Sequence, residues 1–324
     1  MNKKTIIWGI IGCGDVAEVK SGPAFQKCNN SELLAVMRRD SQKAKDFAGR
    51  HQVQLWYDEA TKLLKNNNIN AVYVATPPSS HLEYALKALK AGKHVYLEKP
   101  MVLNKEEALV LCDYVKRSAN KLVVAHYRRQ LPIYLKVKEL INSNTIGDIK
   151  FIDLKYLKTY DSSLDNNWRL NSAISGGGQF HDLAPHQIDL MYHFFGDIYS
   201  AKGFSSNLEG NNQVSEIING VISFKNGIQF RGIWGFDVPE YLEQDNCIIY
   251  GSLGTISFSF YGDEVKVTFN KETKTYNLNN PVNVQQPLIQ ESINYFLGKR
   301  TNPCSVEEGV IVTTIMDAFT NTIK

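Results

Sequence analysis

The chain reads as an α/β protein with a doubly wound parallel sheet in its first part and an α+β domain in its second. Three observations predict this. Strand-like apolar runs alternate with helical stretches over the first 125 residues. The first run leads straight into Gly12-Cys13-Gly14-Asp15-Val16-Ala17, a G-x-G-x-x-A turn between strand and helix. From Ser200 onward the pattern changes to successive strands, with Asn226-Gly227 as a hairpin signal.

The length of 324 residues favours two domains over one core. Hydrophobic content of 43%, charged content of 21% and ten prolines place the chain with globular proteins. A net charge of +3, with no basic block carrying interleaved aromatics, excludes a nucleic-acid footprint. Cys13, Cys28, Cys112, Cys247 and Cys304 are odd in number and scattered, without a C-x-x-C pair, and read as reduced thiols in a cytoplasm. Lys3 and Lys4 precede an apolar run that breaks at Gly12, so no signal peptide is expected, and no stretch approaches a membrane span.

In chain order, Thr5 to Ile11 forms the first strand. Gly12 permits the tight turn, Gly14 lets backbone amides approach a pyrophosphate, and Ala17 allows close helix–strand packing. Gly12, Cys13, Gly14, Asp15 and Val16 are therefore candidate cofactor contacts. Ser21-Gly22-Pro23 is expected to interrupt the next helix within two turns. The strand Leu33–Met37 ends in Arg38-Arg39-Asp40. A carboxylate at this point would hold the ribose 2′-OH of NAD, whereas a cation suits the 2′-phosphate of NADP. Arg38 stands where the acid would be, so Arg38 and Arg39 favour NADP(H) over NAD(H), with Asp40 near enough to reach a ribose.

Ala71–Ala75 is a third strand, followed by Thr76-Pro77, which would line the cofactor, and by His81 in the first turn of a helix, as a structural or cofactor-edge residue. Gly92 to Leu97 is a buried strand whose end delivers Glu98 and Lys99 before Pro100, where open α/β sheets bind ligands. A cis Lys99–Pro100 bond is one way to aim the ammonium. A helix from Lys105 to Ser118 and a strand Lys121–Ala125 complete the first half, and His126-Tyr127-Arg128-Arg129 follows.

In the second half, a helix from about Ile133 to Ser143 precedes an alternating strand, Ile149–Tyr156. Three glycines, Gly176 to Gly178, open a helix running to about Phe195, with Pro185 expected in its first turn. Asp182, His186 and Asp189 fall on one face of it. Hydride transfer at a secondary alcohol needs a base near neutral pKa, which suits His186. Asp182 would orient the ring or hold a neighbouring hydroxyl, and Lys99 would polarise the reacting oxygen. Tyr127, Arg128, Trp168 and Arg169 are candidates for the substrate wall, alongside Asp182 and His186. His181, Asp182, His186, Asp189 and His193 also offer metal ligands, but no H-E-x-x-H or cysteine partner accompanies them, and no metal is expected. Asp189 and His193 read as partners of backbone groups or of a domain contact. No G-x-S-x-G elbow supports a serine hydrolase. Strands are expected around Val214–Phe224, Ile228–Trp234, Asn246–Tyr250, Thr255–Phe260 and Val265–Phe269, then helices at Val284–Phe296 and Val306–Ile323.

Gly9-Ile10-Ile11-Gly12-Cys13-Gly14, Ala75-Thr76-Pro77-Pro78, Gly92-Lys93-His94-Val95 through Glu98-Lys99-Pro100, and the G-G-G-x-x-x-D-x-x-x-H-x-x-D at 176–189 together resemble the glucose-fructose oxidoreductase, inositol dehydrogenase and MocA (Gfo/Idh/MocA) family. The resemblance implies an N-terminal Rossmann domain, residues 1–125, that binds NAD(P) with contacts including Glu98 and Lys99. It also implies a C-terminal α+β domain, residues 126–324, with a large, open, mostly antiparallel sheet, the last helix packing back on the first domain. Lys99, Asp182 and His186 would be the catalytic set, acting on a sugar or polyol. One sheet face needing cover suggests a homodimer or homotetramer. The same fold includes NAD-dependent glycosidases and non-catalytic dinucleotide-binding regulators, which stand as alternatives.

Overall fold

The computed structural model describes residues 4–164, 167–207 and 214–320. They group into two units, residues 1–128 with 281–313, and residues 129–280 with 314–324. The segment 281–313, assigned from sequence to the second domain, thus belongs to the first unit.

In the first unit β1 (Ile6–Ile11) leads to α1 (Gly22–Lys27), β2 (Ser31–Met37), α2 (Ser41–Arg50), β3 (Leu55–Tyr57) and α3 (Ala60–Leu64). Next come β4 (Ala71–Val74), α4 (His81–Lys90), β5 (His94–Leu97), α5 (Lys105–Arg117) and β6 (Leu122–Val124). The six strands lie in the order β3-β2-β1-β4-β5-β6 and pair in parallel throughout. Winding reverses between β1 and β4, which opens a crevice at their carboxyl ends. β1, β4 and β5 are continuous apolar runs because helices cover both faces, and Trp8, Phe25, Tyr73 and Tyr96 fill the interior with ring centroids 4.7–6.5 Å apart.

Pro23 does not break the helix after the glycine turn. Residues Ala17–Ser21 widen into a π-turn, the Gly22 N–H reaching back to the Ala17 carbonyl, and α1 continues with proline at its start. Widening the turn relieves the clash that a proline ring imposes on an α-helix, and a proline at a helix start has no N–H that the helix would need. β3, α2 and α3 were not anticipated. β3 is three residues at the sheet edge with Leu55 and Trp56 exposed, too short to show a period, whereas Asp40 marks the α2 start by accepting the Lys43 N–H at 3.1 Å.

The second unit starts with α6 (Pro132–Asn142), β7 (Ile149–Leu157), α7 (Ser172–Ser175) and α8 (Gly178–Phe195). β8 (Ile198–Ser206), β9 (Ile217–Phe224), β10 (Gln229–Gly235), β11 (Gln244–Gly251), β12 (Gly254–Phe258), β13 (Glu264–Phe269) and β14 (Glu272–Asn277) follow. They form one eight-stranded sheet, β14-β13-β12-β11-β7-β10-β9-β8, antiparallel except for the β7–β10 pair. The Asn226-Gly227 turn joins β9 to β10, with Gly227 at φ +87°. β8 and β14 were missed because they are edge strands with few buried positions. One face of the sheet buries Ile152, Leu154, Ile222, Phe230 and Trp234, while Phe151, Phe204 and Val221 stand exposed.

Pro185 lies eight residues into α8, well past its first turn. It therefore has no N–H to return to the His181 carbonyl inside the helix. α9 (Gln286–Phe296) belongs to the first unit, and α10 (Val306–Thr320) divides between the units after Thr313. The sequence extended this last helix to Ile323; residues 321–323 lie outside the described residues.

Candidate functional site

In the first unit the candidate cofactor residues converge on the carboxyl edge of the sheet. The Gly12 and Cys13 N–H groups both donate to the Met37 carbonyl, at 2.9 and 3.2 Å, which ties the turn after β1 to the end of β2. Gly12 sits at φ +95°, where a Cβ would come within 2.9 Å of the Ala75 backbone. At Gly14, by contrast, nothing lies within 4 Å of where a Cβ would stand. That open space, with the helix beginning at Asp15, suits a pyrophosphate. The residues present thus fit a dinucleotide.

Arg38 donates through Nη1 to the Cys13 carbonyl at 3.3 Å, so its guanidinium lies beside the glycine turn. Arg39 is exposed. Asp40, which could have served a ribose, is engaged in capping α2, and that hydrogen bond from the Lys43 backbone holds its carboxyl below the usual range. Burial pushes the Cys13 thiol up to about 11, so this cysteine stays protonated in the turn. The π-turn carries Glu18, gripped by Arg50 and by His51 Nε2 at 2.7 Å, an unforeseen cluster.

Thr76 and Pro77 follow β4, and Ser80 donates to the Thr76 hydroxyl at 2.8 Å. His81 is fully buried, with Nδ1 2.9 Å from the Pro100 carbonyl and Nε2 2.7 Å from the Thr76 carbonyl. Burial, the larger influence, pushes its pKa down while the two carbonyls pull it up. His81 thus joins the turns after β4 and β5, a structural role. The Lys99–Pro100 bond is cis.

Glu98 behaves differently from its neighbour. Lys99 is partly exposed, but Glu98 is 5% exposed and faces inward. Its Oε1 accepts from Tyr73 Oη and from Gln285 Nε2, each at 2.6 Å, and its Oε2 accepts the Lys99 backbone N–H at 3.1 Å. Ser21 Oγ extends the chain to Tyr73 at 3.1 Å, and Tyr96 donates to Gln285 Oε1 at 3.1 Å. Burial first, then the Glu98 charge, pushes both tyrosines well above their ordinary pKa. Nothing in the sequence flags Gln285, which lies 187 positions from Glu98. Tyr127 and Arg128 are nearly buried, the guanidinium 5.7 Å from the Tyr127 ring centroid.

In the second unit α8 carries Asp182, His186 and Asp189 with graded exposure. The Asp182 side chain is 33% exposed and accepts from Arg169 Nε at 3.2 Å, while Arg169 stacks 4.7 Å from the Trp168 ring. Trp168, Arg169 and Asp182 therefore lie side by side. His186 is buried one turn on. The two oxygens of Asp189 take Arg129 Nε and Nη2 at 2.8 and 2.6 Å, both side chains buried. His193 instead has Nε2 2.8 Å from Lys138 Nζ. Burial pushes His181 and His193 down to about 4. Among the described residues no group of three or more metal-ligating side chains is placed to hold an ion.

Comparison with known proteins adds to this geometry. Residues 6–126 match the model of an oxidoreductase family with an NAD-binding Rossmann fold, and residues 134–257 match the GFO/IDH/MocA C-terminal domain. The chain is 53% identical over 322 residues to Oxidoreductase P35 of Formosa agariphila, covering 98% of this chain and 99% of that one. It is 26% identical to the Bacillus subtilis scyllo-inositol 2-dehydrogenase (NADP(+)) IolW, over 99% of this chain and 94% of that one. Among solved structures, levoglucosan dehydrogenase in complex with NADH and levoglucosan superposes with a TM-score of 0.87 at 22% identity, covering 97% of this chain and 96% of that one.

Proposed function

The chain belongs to the Gfo/Idh/MocA family of NAD(P)-binding oxidoreductases, and from that premise we propose a dehydrogenase or reductase that prefers NADP(H) and acts on a sugar, cyclic polyol or related carbonyl compound. The observation that carries the cofactor half is the Arg38 guanidinium held against the glycine turn, where a 2′-phosphate would meet a cation. The likeness to an NADP-dependent inositol dehydrogenase along nearly the whole chain supports both halves.

Gly12 to Val16 would hold the pyrophosphate, and Thr76 and Pro77 would line the cofactor. When bound, the nicotinamide gives or takes a hydride. Lys99 polarises the reacting oxygen as charge develops on it. His186 exchanges the hydroxyl proton, which an imidazole does near neutral pH. Asp182, the exposed carboxylate of α8, positions the ring and a neighbouring substrate hydroxyl, and Arg169 holds Asp182 in place. Trp168 offers an aromatic face to the C–H face of a sugar.

Phe151, Phe204 and Val221 on the open sheet face support a homodimer or homotetramer, to be read by light scattering of wild type and Val221→Lys. The five cysteines are buried and none forms a disulfide, which supports a reducing, cytoplasmic location.

Fluorescence titration with NADPH and NADH, followed by absorbance at the nicotinamide band with a panel of sugars, polyols and glycosides, tests the reading. NADPH is expected to bind more tightly, and Arg38→Asp to move the ratio toward NADH by roughly tenfold or more, the worth of a charge-assisted contact. Turnover should vanish in Lys99→Ala and His186→Ala. Glycoside hydrolysis without net cofactor reduction would overturn it.

A further inference from the structure

We infer that Gln285, together with Tyr73, is a positioning residue for Lys99, acting through the Glu98 carboxylate; the inference rests on the reading of Lys99 as a group that meets the nicotinamide. β5 ends at Leu97, and the Glu98 N–H still donates to the Val74 carbonyl at 3.0 Å. One residue later the ladder has stopped, and the Lys99 N–H turns to Glu98 Oε2. Pro100 has no N–H to continue the pairing. The conformation that presents Lys99 is therefore held by a carboxylate, and that carboxylate must itself be held.

Tyr73 and Gln285 do this. Both donate to Oε1, leaving Oε2 turned toward the Lys99 backbone. The Gln285 amide is oriented in turn, because the Tyr96 hydroxyl donates to its oxygen and so points its NH2 at Glu98. Gln285, Tyr73 and Tyr96 are each 0% exposed. A side chain so enclosed touches no ligand and can affect the nicotinamide site only by fixing what lies between. Without one of these donors Oε1 is left short of a partner, and a carboxylate that rotates to find one carries the Lys99 N–H with it.

The test needs no substrate. The full-length protein is treated with trace acetic anhydride, with and without saturating NADPH, and acetylation of Lys99 is followed by peptide mass spectrometry. In the wild type, NADPH should slow Lys99 acetylation by about tenfold, and Gln285→Leu and Tyr73→Phe should reduce that protection to below about threefold, on the scale expected when a contact is displaced by an ångström. Asn70→Ala is the control. It removes the bonds that Asn70 makes with the Ile7 N–H and the Thr5 carbonyl at the amino end of the sheet, should lower the melting temperature, and should keep wild-type protection.

Absence of protection in the wild type would sink the reading of Lys99 itself. Wild-type protection retained in Gln285→Leu and Tyr73→Phe would overturn the positioning role alone. Equal loss in Asn70→Ala would also overturn it, by showing general loosening. Should Gln285→Leu fail to fold, Tyr73→Phe decides the matter.

Discussion

The end of β5 and the helix α8 each bury a carboxylate beside a candidate catalytic residue, and they stabilise it by opposite means. Glu98 rests on neutral donors, a tyrosine, a glutamine and a backbone N–H. Asp189 rests on a guanidinium that reaches both of its oxygens. The first is held by donors that carry no charge, next along the chain from Lys99. The second cancels its charge and contributes rigidity to α8. A third carboxylate, Asp182, is a third exposed and pairs with Arg169 at 3.2 Å. Glu98 and Asp189 thus hold their surroundings, one through uncharged donors and one through a guanidinium, whereas the proposed function has Asp182 act on substrate.

Stability measurements can break this comparison. The largest effect is expected from Arg129→Met, which takes the guanidinium from a buried Asp189 and should cost about 3–5 kcal/mol in urea unfolding. Adding Asp189→Leu to Arg129→Met should recover most of that loss; no recovery would mean the pair acts through packing instead of charge.

Acid should act next, through His181. Its folded pKa of about 4 lies below the ordinary 6.5, so the neutral ring's stability is fully present above pH 6.5 and lost as the pH falls toward about 4. The loss should approach about 3 kcal/mol, at 1.36 kcal/mol per pKa unit, and unfolding at pH 7 and pH 4 should differ less in His181→Phe than in the wild type.

Glu98→Gln should cost less, about 1–3 kcal/mol, since it sets an amide against the Gln285 and Tyr73 donors without stranding a charge. Asp182→Asn should change stability least, by under about 1 kcal/mol, because its ion pair is partly solvated. Turnover should rank the carboxylates the other way: Asp182→Asn should lose about a hundredfold, the scale of general acid–base assistance. If Asp182→Asn instead unfolds the protein while keeping turnover, the division between acting and holding carboxylates fails.

Much of the first unit was legible because its signals are local. Gly12 and Gly14 mark a turn whose geometry excludes a side chain at one position and leaves room at the other. Continuous apolar runs such as Val72–Val74 and Val95–Leu97 read as strands covered on both faces. Edge strands β3, β8 and β14 escaped because solvent, not a core, meets most of their side chains. Pro23 and Pro185 misled for the same reason: proline's effect on a helix depends on whether neighbouring turns can widen or do without one bond, which composition does not record. In the site, Asp182, His186 and Asp189 share a helical face in the sequence, yet only packing separates the exposed member from the buried ones.

By itself the sequence determined most of the succession of strands and helices, the dinucleotide turn and the cation at the end of β2. These depend on neighbours a few positions apart, through backbone sterics, periodicity and charge. Only the tertiary structure decided that 281–313 joins the first unit, that Gln285 meets Glu98 across 187 positions, and that Arg129 neutralises Asp189. Such pairings arise when burial strips water from a polar group and forces it onto whichever partner the fold brings near, and no local pattern encodes that partner.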